Sequence, residues 1–292
     1  DHRDLHSFPT RRSSDLWSPA LVYLCLAVGL FFSLRTRFLQ VRHFREMVRQ
    51  MFQGRSSDAG VSSFQALTIA LSGRVGTGNI AGVATAIAFG GPGAVFWMWM
   101  VAFLGASTAY IESTLGQIYK TKYRGLYRGG PAYYIETGLG WRSYAIVFAV
   151  ATVLANGLLL PGVQTNSIAA AMNNAFGVDQ AVTGTIIVIL LGLIVFGGVR
   201  RIAQVTQVVV PFMALGYILA ACVVVALNIE KLPAVIGLIL SSAFGIEAGF
   251  GAMIGLAIQW GVKRGVYSNE AGQGSGQLGQ GAIAEAGQGR DY

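Results

Sequence analysis

Ser72-Gly73-Arg74-Val75-Gly76-Thr77-Gly78-Asn79 lies in the middle of an otherwise apolar stretch that runs from about Ser62 to Phe89. A membrane helix needs about 20 apolar residues. This stretch has the length, yet its centre is polar and glycine-rich. Gly76 and Gly78 disfavour continuous helix, and backbone groups released inside hydrocarbon must find partners or line a cavity. A helix broken at mid-depth presents a half-helix N-terminus to an anionic group and unwound carbonyls to a cation. Thr77 and Asn79 add side-chain oxygens of the hard type that sodium prefers, so Gly76, Thr77 and Asn79 are candidate sodium ligands. A packing role competes with this reading, because Gly78 and Gly82 also form a G-x-x-x-G pair. One look-alike is rejected. Gly76 to Ala81 fits the dinucleotide pattern G-x-G-x-x-A, which needs a preceding strand and an acidic residue about 20 positions on. That position is Val101, flanked by Met100 and Ala102.

Outward from this break, apolar windows give seven membrane elements in an all-α polytopic membrane protein. They run Trp17–Leu34, Ser62–Phe89, Ala94–Tyr119, Ser143–Phe176, Val182–Gly198, Val205–Leu227 and Ser241–Val262, with a short apolar helix after Pro233. Ser143–Phe176 fits one tilted helix or a helix bent near Pro161. Between the first two spans, Phe38, Val41, Phe44, Val48, Met51 and Phe52 recur at helical spacing among arginines. That pattern predicts an amphipathic helix lying on the membrane surface.

The basic residues fix an expected orientation. Arg35, Arg37, Arg42, Arg45, Arg49 and Arg55 sit in one loop, and Lys120, Lys122, Arg124, Arg128 and Arg142 in another. Arg200, Arg201, Lys263 and Arg264 fall at the same ends, whereas the connections near 177–181 and 228–233 carry only Lys231. By the positive-inside rule the N-terminus lies outside and the basic loops inside.

Composition agrees with the class. The chain is 53% hydrophobic and only 12% charged, with a mean hydropathy of +0.55. A soluble domain carries roughly 25% charged residues. The net charge of +8 follows from loops beside the membrane rather than from a nucleic-acid surface. Cys25 and Cys222 sit in apolar runs as small hydrophobes, and His2, His6 and His43 have no ligand spacing. Residues 1–16 lack the continuous apolar core of a signal peptide. They resemble translated sequencing-adapter read-through, with a disordered native tail as the alternative, and are left out of the fold reading.

Three stretches carry a family resemblance: Gly76-Thr-Gly-Asn-Ile-Ala-Gly-Val83, Gly90-Gly-Pro-Gly-Ala-Val-Phe-Trp-Met-Trp99, and Gly261-Val-Lys-Arg-Gly-Val-Tyr-Ser-Asn-Glu-Ala-Gly-Gln-Gly-Ser275. In order and spacing they resemble the alanine or glycine:cation symporter family, over about residues 17–280. Residues 75–79 also resemble the unwound first core helix of neurotransmitter:sodium symporters. The resemblance implies an inverted-repeat transporter fold with an incomplete second repeat. Residues 17–34 would form an extra leading helix, 35–61 a cytoplasmic basic segment, 62–227 the first five-helix repeat, and 228–292 the truncated start of the second. It further implies a multi-pass protein of the bacterial inner membrane that imports alanine or glycine with sodium as coupling ion, without an organic cofactor. A proton-coupled carrier of another small amino acid is the alternative.

Site residues follow from the same resemblance. The first, third and sixth core helices would enclose the substrate. Thr77 and Gly78 come from the first, and Gln164 and Asn166 from the polar Gln164-Thr165-Asn166 patch of the third. Gly249, with Phe244 or Phe250 as an occluding lid, comes from the glycine-broken sixth, Gly245 to Gly251. Helix–helix hydrogen bonding is the competing role for Gln164 and Asn166. Glu247 departs from the neutral residue usual there and is read as an ammonium partner, a proton acceptor or a vestibule residue. Glu112 is a second intramembrane acid, functional or a structural pair snorkelling to the cytoplasmic end. Ser268-Asn269-Glu270-Ala271-Gly272 reads as part of an inner gate or the next helix start. A channel would use broken helices too. A membrane enzyme is disfavoured, because no Ser/His/Asp set, carboxylate pair or Cys/His cluster falls within the spans.

Overall fold

The computed structural model describes residues 19–52, 62–123, 126–245 and 251–274. They are almost entirely helical, with one small hairpin. The leading helix α1 spans Pro19–Arg35 and is followed by two short helices, α2 (Leu39–Arg42) and α3 (Phe44–Phe52). Arg37 and Phe38, both at positive φ, turn the chain between α1 and α2. Phe38, Val41, Phe44 and Val48 all stay exposed, so this segment keeps an uncovered apolar face.

The helix read across Ser62–Phe89 divides into α4 (Ser63–Arg74) and α5 (Thr77–Gly90). Its start is fixed by a capping box: the Ser62 hydroxyl accepts the Gln65 N–H, and the Gln65 side chain accepts the Ser62 N–H. Only Val75 and Gly76 leave the helical path, a shorter break than the eight polar residues suggest. Helix α6 (Gly93–Ile118) matches the expected third span to within a residue at each end. The basic loop after it is more ordered than its sequence implies. Thr121–Tyr123 (β1) pairs antiparallel with Leu126–Arg128 (β2), and a short helix α7 (Pro131–Leu139) follows. The Tyr127 ring holds the hairpin's charges, with Lys120 Nζ 4.8 Å and Lys122 Nζ 5.7 Å from its centroid.

The Ser143–Phe176 stretch is one continuous helical path, α8 (Arg142–Thr152), a π-helical turn (Val153–Leu159) and α9 (Leu160–Phe176). Pro161 explains the wide turn, since it cannot donate a backbone bond and its ring crowds the carbonyl four residues back. The Leu160 N–H reaches back five residues to the Ala155 carbonyl. Gly177, at φ 68°, ends α9, and Asp179 caps α10 (Gln180–Val195) by accepting the Ala181 N–H at 2.8 Å. Helix α11 (Gly198–Leu227) starts seven residues before the expected Val205, so Arg200 and Arg201 lie on its first turn rather than in a loop. After α12 (Leu232–Phe244), α13 (Gly251–Asn269) continues beyond the expected end at Val262 and carries Lys263 and Arg264 on the helix.

Three of these paths are long and apolar enough to cross a membrane: Gly93–Ile118, Arg142–Phe176 and Arg200–Leu227. Pro19–Arg35 and Gln180–Val195 are shorter apolar helices. Large side chains along α8 to α11, such as Val147, Leu158, Ile189, Leu193, Phe212 and Leu219, are exposed, as lipid-facing surfaces are. The buried centre instead lies where α13 packs on α6 and α5, and α1 on α6. Val22, Val101, Val262 and Val266 form its core, joined by Cys25 and Leu26. Small residues let these backbones approach. A Cβ on Gly93 would stand 2.6 Å from the Ala243 nitrogen of α12. Ser33 and Ser107 hydrogen-bond at 3.0 Å and tie α1 to α6.

Candidate functional site

The break at Val75–Gly76 brings the C-terminal end of α4 against the N-terminal end of α5. A helix end leaves backbone groups without intrahelical partners, donors at the N-terminus and carbonyls at the C-terminus. The partial charges there are of opposite sign, positive at the start of α5 and negative at the end of α4. Gly76 occupies the capping position of α5 but has no side chain to cap with. Gln164, on α9, supplies one from across the bundle. Its Oε1 accepts the Thr77 hydroxyl at 2.8 Å and the Thr77 backbone N–H at 3.3 Å. A Cβ on Gly76 would lie 3.4 Å from that same oxygen, so glycine leaves room for the contact.

Asn79 sits one turn into α5 and stitches the break from the other side. Its Nδ2 donates to the Arg74 carbonyl at the end of α4, and its Oδ1 accepts the Ser268 hydroxyl of α13. Its backbone N–H donates to the Gly76 carbonyl at 3.0 Å. Thus Thr77, Asn79 and Gln164 come together at one break, with Gly76 between the two half-helices.

Gly78 does not face that gap. It is buried toward α13, where a Cβ would meet the Tyr267 ring at 3.1 Å and the Ser268 Cα at 3.4 Å. Gly82, one turn on, faces the Arg264 stem at 3.9 Å. The packing role of this glycine pair is therefore realised, with α13 as the partner. Asn166 lies on an exposed face of α9, two residues from Gln164 and turned away from it. Phe244 ends α12 and rests on α6, with its ring 4.9 Å from Phe96 and 6.4 Å from Trp97. Glu247, Gly249 and Phe250 lie outside the described residues.

Glu112 is not a snorkelling residue. It is 9% exposed on α6, and its Oε2 accepts the Gly272 N–H at 2.9 Å, just past α13. Its other oxygen is buried without a well-formed hydrogen bond of its own. Ser268, expected as part of an inner gate or the next helix start, meets the break through Asn79, and the π-helical turn before Gln164 was read only as a bend near Pro161. The signal for the turn was present in Pro161, three residues ahead of Gln164.

Helices long and apolar enough to cross a membrane, exposed along their length, define a multi-pass membrane protein. Sequence comparison narrows the class: the chain belongs to the sodium:alanine symporter family, which it matches over residues 3–287. A putative sodium/proton-dependent alanine carrier of Bacillus subtilis, YrbD, is 64% identical over 261 residues, covering 89% of this chain and 54% of YrbD. A probable sodium/glutamine symporter of the same organism, GlnT, is 47% identical over 262 residues, 89% of this chain and 55% of GlnT. A sodium/proton-dependent alanine carrier of Bacillus sp. strain PS3 is 52% identical over 233 residues, 79% of this chain and 52% of the carrier. The chain thus spans about half the length of these relatives.

Proposed function

We propose that this chain is the first half of the working core of a secondary carrier that imports alanine or glycine together with sodium. The observation that carries the reading is the Thr77–Gln164 contact across the helix break. It joins the first and third core helices at the point where opposite helix ends meet. In this reading the α4 carbonyls near the break, the Gly76 carbonyl and the Thr77 and Asn79 side chains offer oxygens to sodium. The start of α5 faces the substrate carboxylate, with the Gln164 amide beside it. Gly78 acts through packing, and Gly249, Phe250 and Phe244 belong to the second broken helix that closes the site. Asn166 joins only after α9 turns.

The fold that suits this mechanism has two inverted repeats. Residues 62–227 supply a broken helix (α4/α5), α6, the α8–α9 path, α10 and α11, five crossings in all. In this reading the second repeat begins at about residue 228, with α12 and α13 as the two halves of its first helix. On the same reading residues 17–34 supply the leading helix and 35–61 a cytoplasmic basic segment, with the N-terminus outside. Alternating access would rock the two broken helices against α6 and the α8–α9 path.

Uptake of labelled alanine and glycine into proteoliposomes holding the full-length protein tests this reading. Uptake is expected to require an inward sodium gradient and to collapse with a sodium ionophore. Uptake driven by a proton gradient alone would replace the coupling ion, as the names of YrbD and the PS3 carrier make worth testing. Non-saturable flux would indicate a channel instead.

A further inference from the structure

The turn that follows α13, residues 269–274, is seated in the scaffold by contacts the transport reading does not use. Gly105 of α6 leaves space for it, since a Cβ there would stand 2.9 Å from Ala271 Cβ and 3.1 Å from Asn269 Nδ2. Asn269 Nδ2 donates to the Val101 carbonyl at 3.3 Å, and its Oδ1 accepts the Ala271 N–H at 2.9 Å. Further along, a Cβ on Gly274 would meet Pro131 of α7 at 2.8 Å. Glu270 holds φ at 52°, a region that non-glycine residues seldom occupy, and Gly272 and Gly274 are also at positive φ. The Glu270 carboxylate lies against Gly73, where a Cβ would be 2.8 Å from it. The turn therefore bridges the inner half of the first broken helix, the end of the second, and the scaffold helix α6.

Glu112 is the buried polar end of that seat. Its Oε2 accepts the Gly272 N–H, the Gly274 N–H also bears on the carboxylate, and Oε1 is buried without a well-formed hydrogen bond of its own. Among the described residues it has no ion-pair partner within 4 Å. The charged groups that act on it are Arg74 from α4 and Glu270 from the turn itself. Pro131 of α7 meets the turn at Gly274 and carries no charge, Cys25 of α1 lines the cavity beside Gly272, and α13 carries Lys263, Arg264 and Tyr267. An ionised carboxylate buried with one oxygen lacking a well-formed bond is costly, and a proton on that oxygen removes the cost.

We propose that Glu112 is a proton-binding site whose occupancy sets the turn at residues 269–274, and with it access to the helix break from the cytoplasm; this rests on the carrier reading above. The ionised carboxylate holds the Gly272 N–H with a charge-assisted bond and keeps the turn seated. A proton taken from cytoplasmic water onto Oε1 neutralises the carboxylate, weakens the Oε2 bond and releases the turn. Gly272 is exposed, so water reaches this end. A cavity of about 340 Å³ between α1 and α6, lined by Cys25, Leu104, Thr108 and Gly272 among others, gives the released turn space to move.

The test places Ala271→Cys in the full-length protein, with all other cysteines replaced, and follows its labelling by a membrane-impermeant maleimide from the cytoplasmic side, without substrate. Rates are corrected for thiolate content with an exposed control cysteine. Labelling is expected to rise about tenfold or more as pH falls from about 9 to about 5, along a single-proton curve. Glu112→Gln is expected to label fast at every pH, and Glu112→Asp to keep a titration with a displaced midpoint. A flat wild-type profile overturns the proposal, and so does a Glu112→Gln profile that titrates like wild type. Should Glu112→Gln fail to fold, an unmoved midpoint in Glu112→Asp overturns it equally. Alanine uptake is measured on the same preparations. Sodium-driven uptake with pH-independent labelling sinks the latch alone, whereas absent uptake with intact titration sinks the carrier reading alone.

Discussion

Gln164 and Thr77 carry the account at the residue scale, because one amide oxygen from α9 serves two donors at the start of α5. Gln164→Ala removes both bonds at a partly buried site, where each is worth about 0.5–1.5 kcal/mol. Its KM for alanine is expected to rise about tenfold, with protein yield unchanged. Gly78→Ala tests the other face of the same turn. Its new methyl would press on Tyr267 at 3.1 Å, and overpacking costs about 1–3 kcal/mol. The expected outcome is a lower melting temperature in detergent, measured by intrinsic fluorescence, and a milder effect in Gly82→Ala, whose nearest side-chain atom is 3.9 Å away. Thr77, Asn79 and Gln164 were legible in the sequence because polar side chains inside apolar runs must find partners. Which partners they find was not, because Ser268 meets Asn79 across 189 positions and only the packing of α13 brings them together.

Elements with strong periodicity or length were readable directly. Helix α6 falls within a residue of its expected ends, and the amphipathic α3 follows its spaced apolar residues. The β1–β2 hairpin was not readable, because three-residue strands with one basic residue each are too short to show an alternating pattern inside a basic loop. The π-helical turn at Val153–Leu159 was legible only as a bend at Pro161, since sequence gives the missing donor but not how the ladder repairs itself. That repair positions Gln164. Restoring a regular helix would rotate the following residues by ~100°, away from Thr77. Pro161→Ala is therefore expected to lower alanine uptake severalfold while leaving helix content by circular dichroism unchanged. Preserved uptake would show that the wide turn does not aim Gln164.

For the whole molecule, the expected orientation puts the hairpin and the α2–α3 segment on the cytoplasmic side and the α9–α10 turn outside. Single cysteines at Lys122 and Asp179 test it with an impermeant reagent on intact cells. Asp179→Cys is expected to react and Lys122→Cys to stay protected until the membrane is opened; the reverse pattern would invert the topology. The family was legible from three glycine-rich stretches, two of which the structure places at the α4/α5 break and on α13, where backbones touch and few other residues fit. Of the expected second break, Glu247, Gly249 and Phe250 lie outside the described residues. The central claim is that sodium and the amino acid meet at the break closed by Gln164. Equilibrium binding of labelled alanine to the purified full-length protein, with sodium or with choline, tests it most directly when wild type is compared with Gln164→Ala and Thr77→Val. The account expects saturable, sodium-requiring binding in the wild type, about tenfold weaker alanine binding in Gln164→Ala, and a raised sodium requirement in Thr77→Val. Wild-type affinity and sodium dependence in both variants would place the site elsewhere.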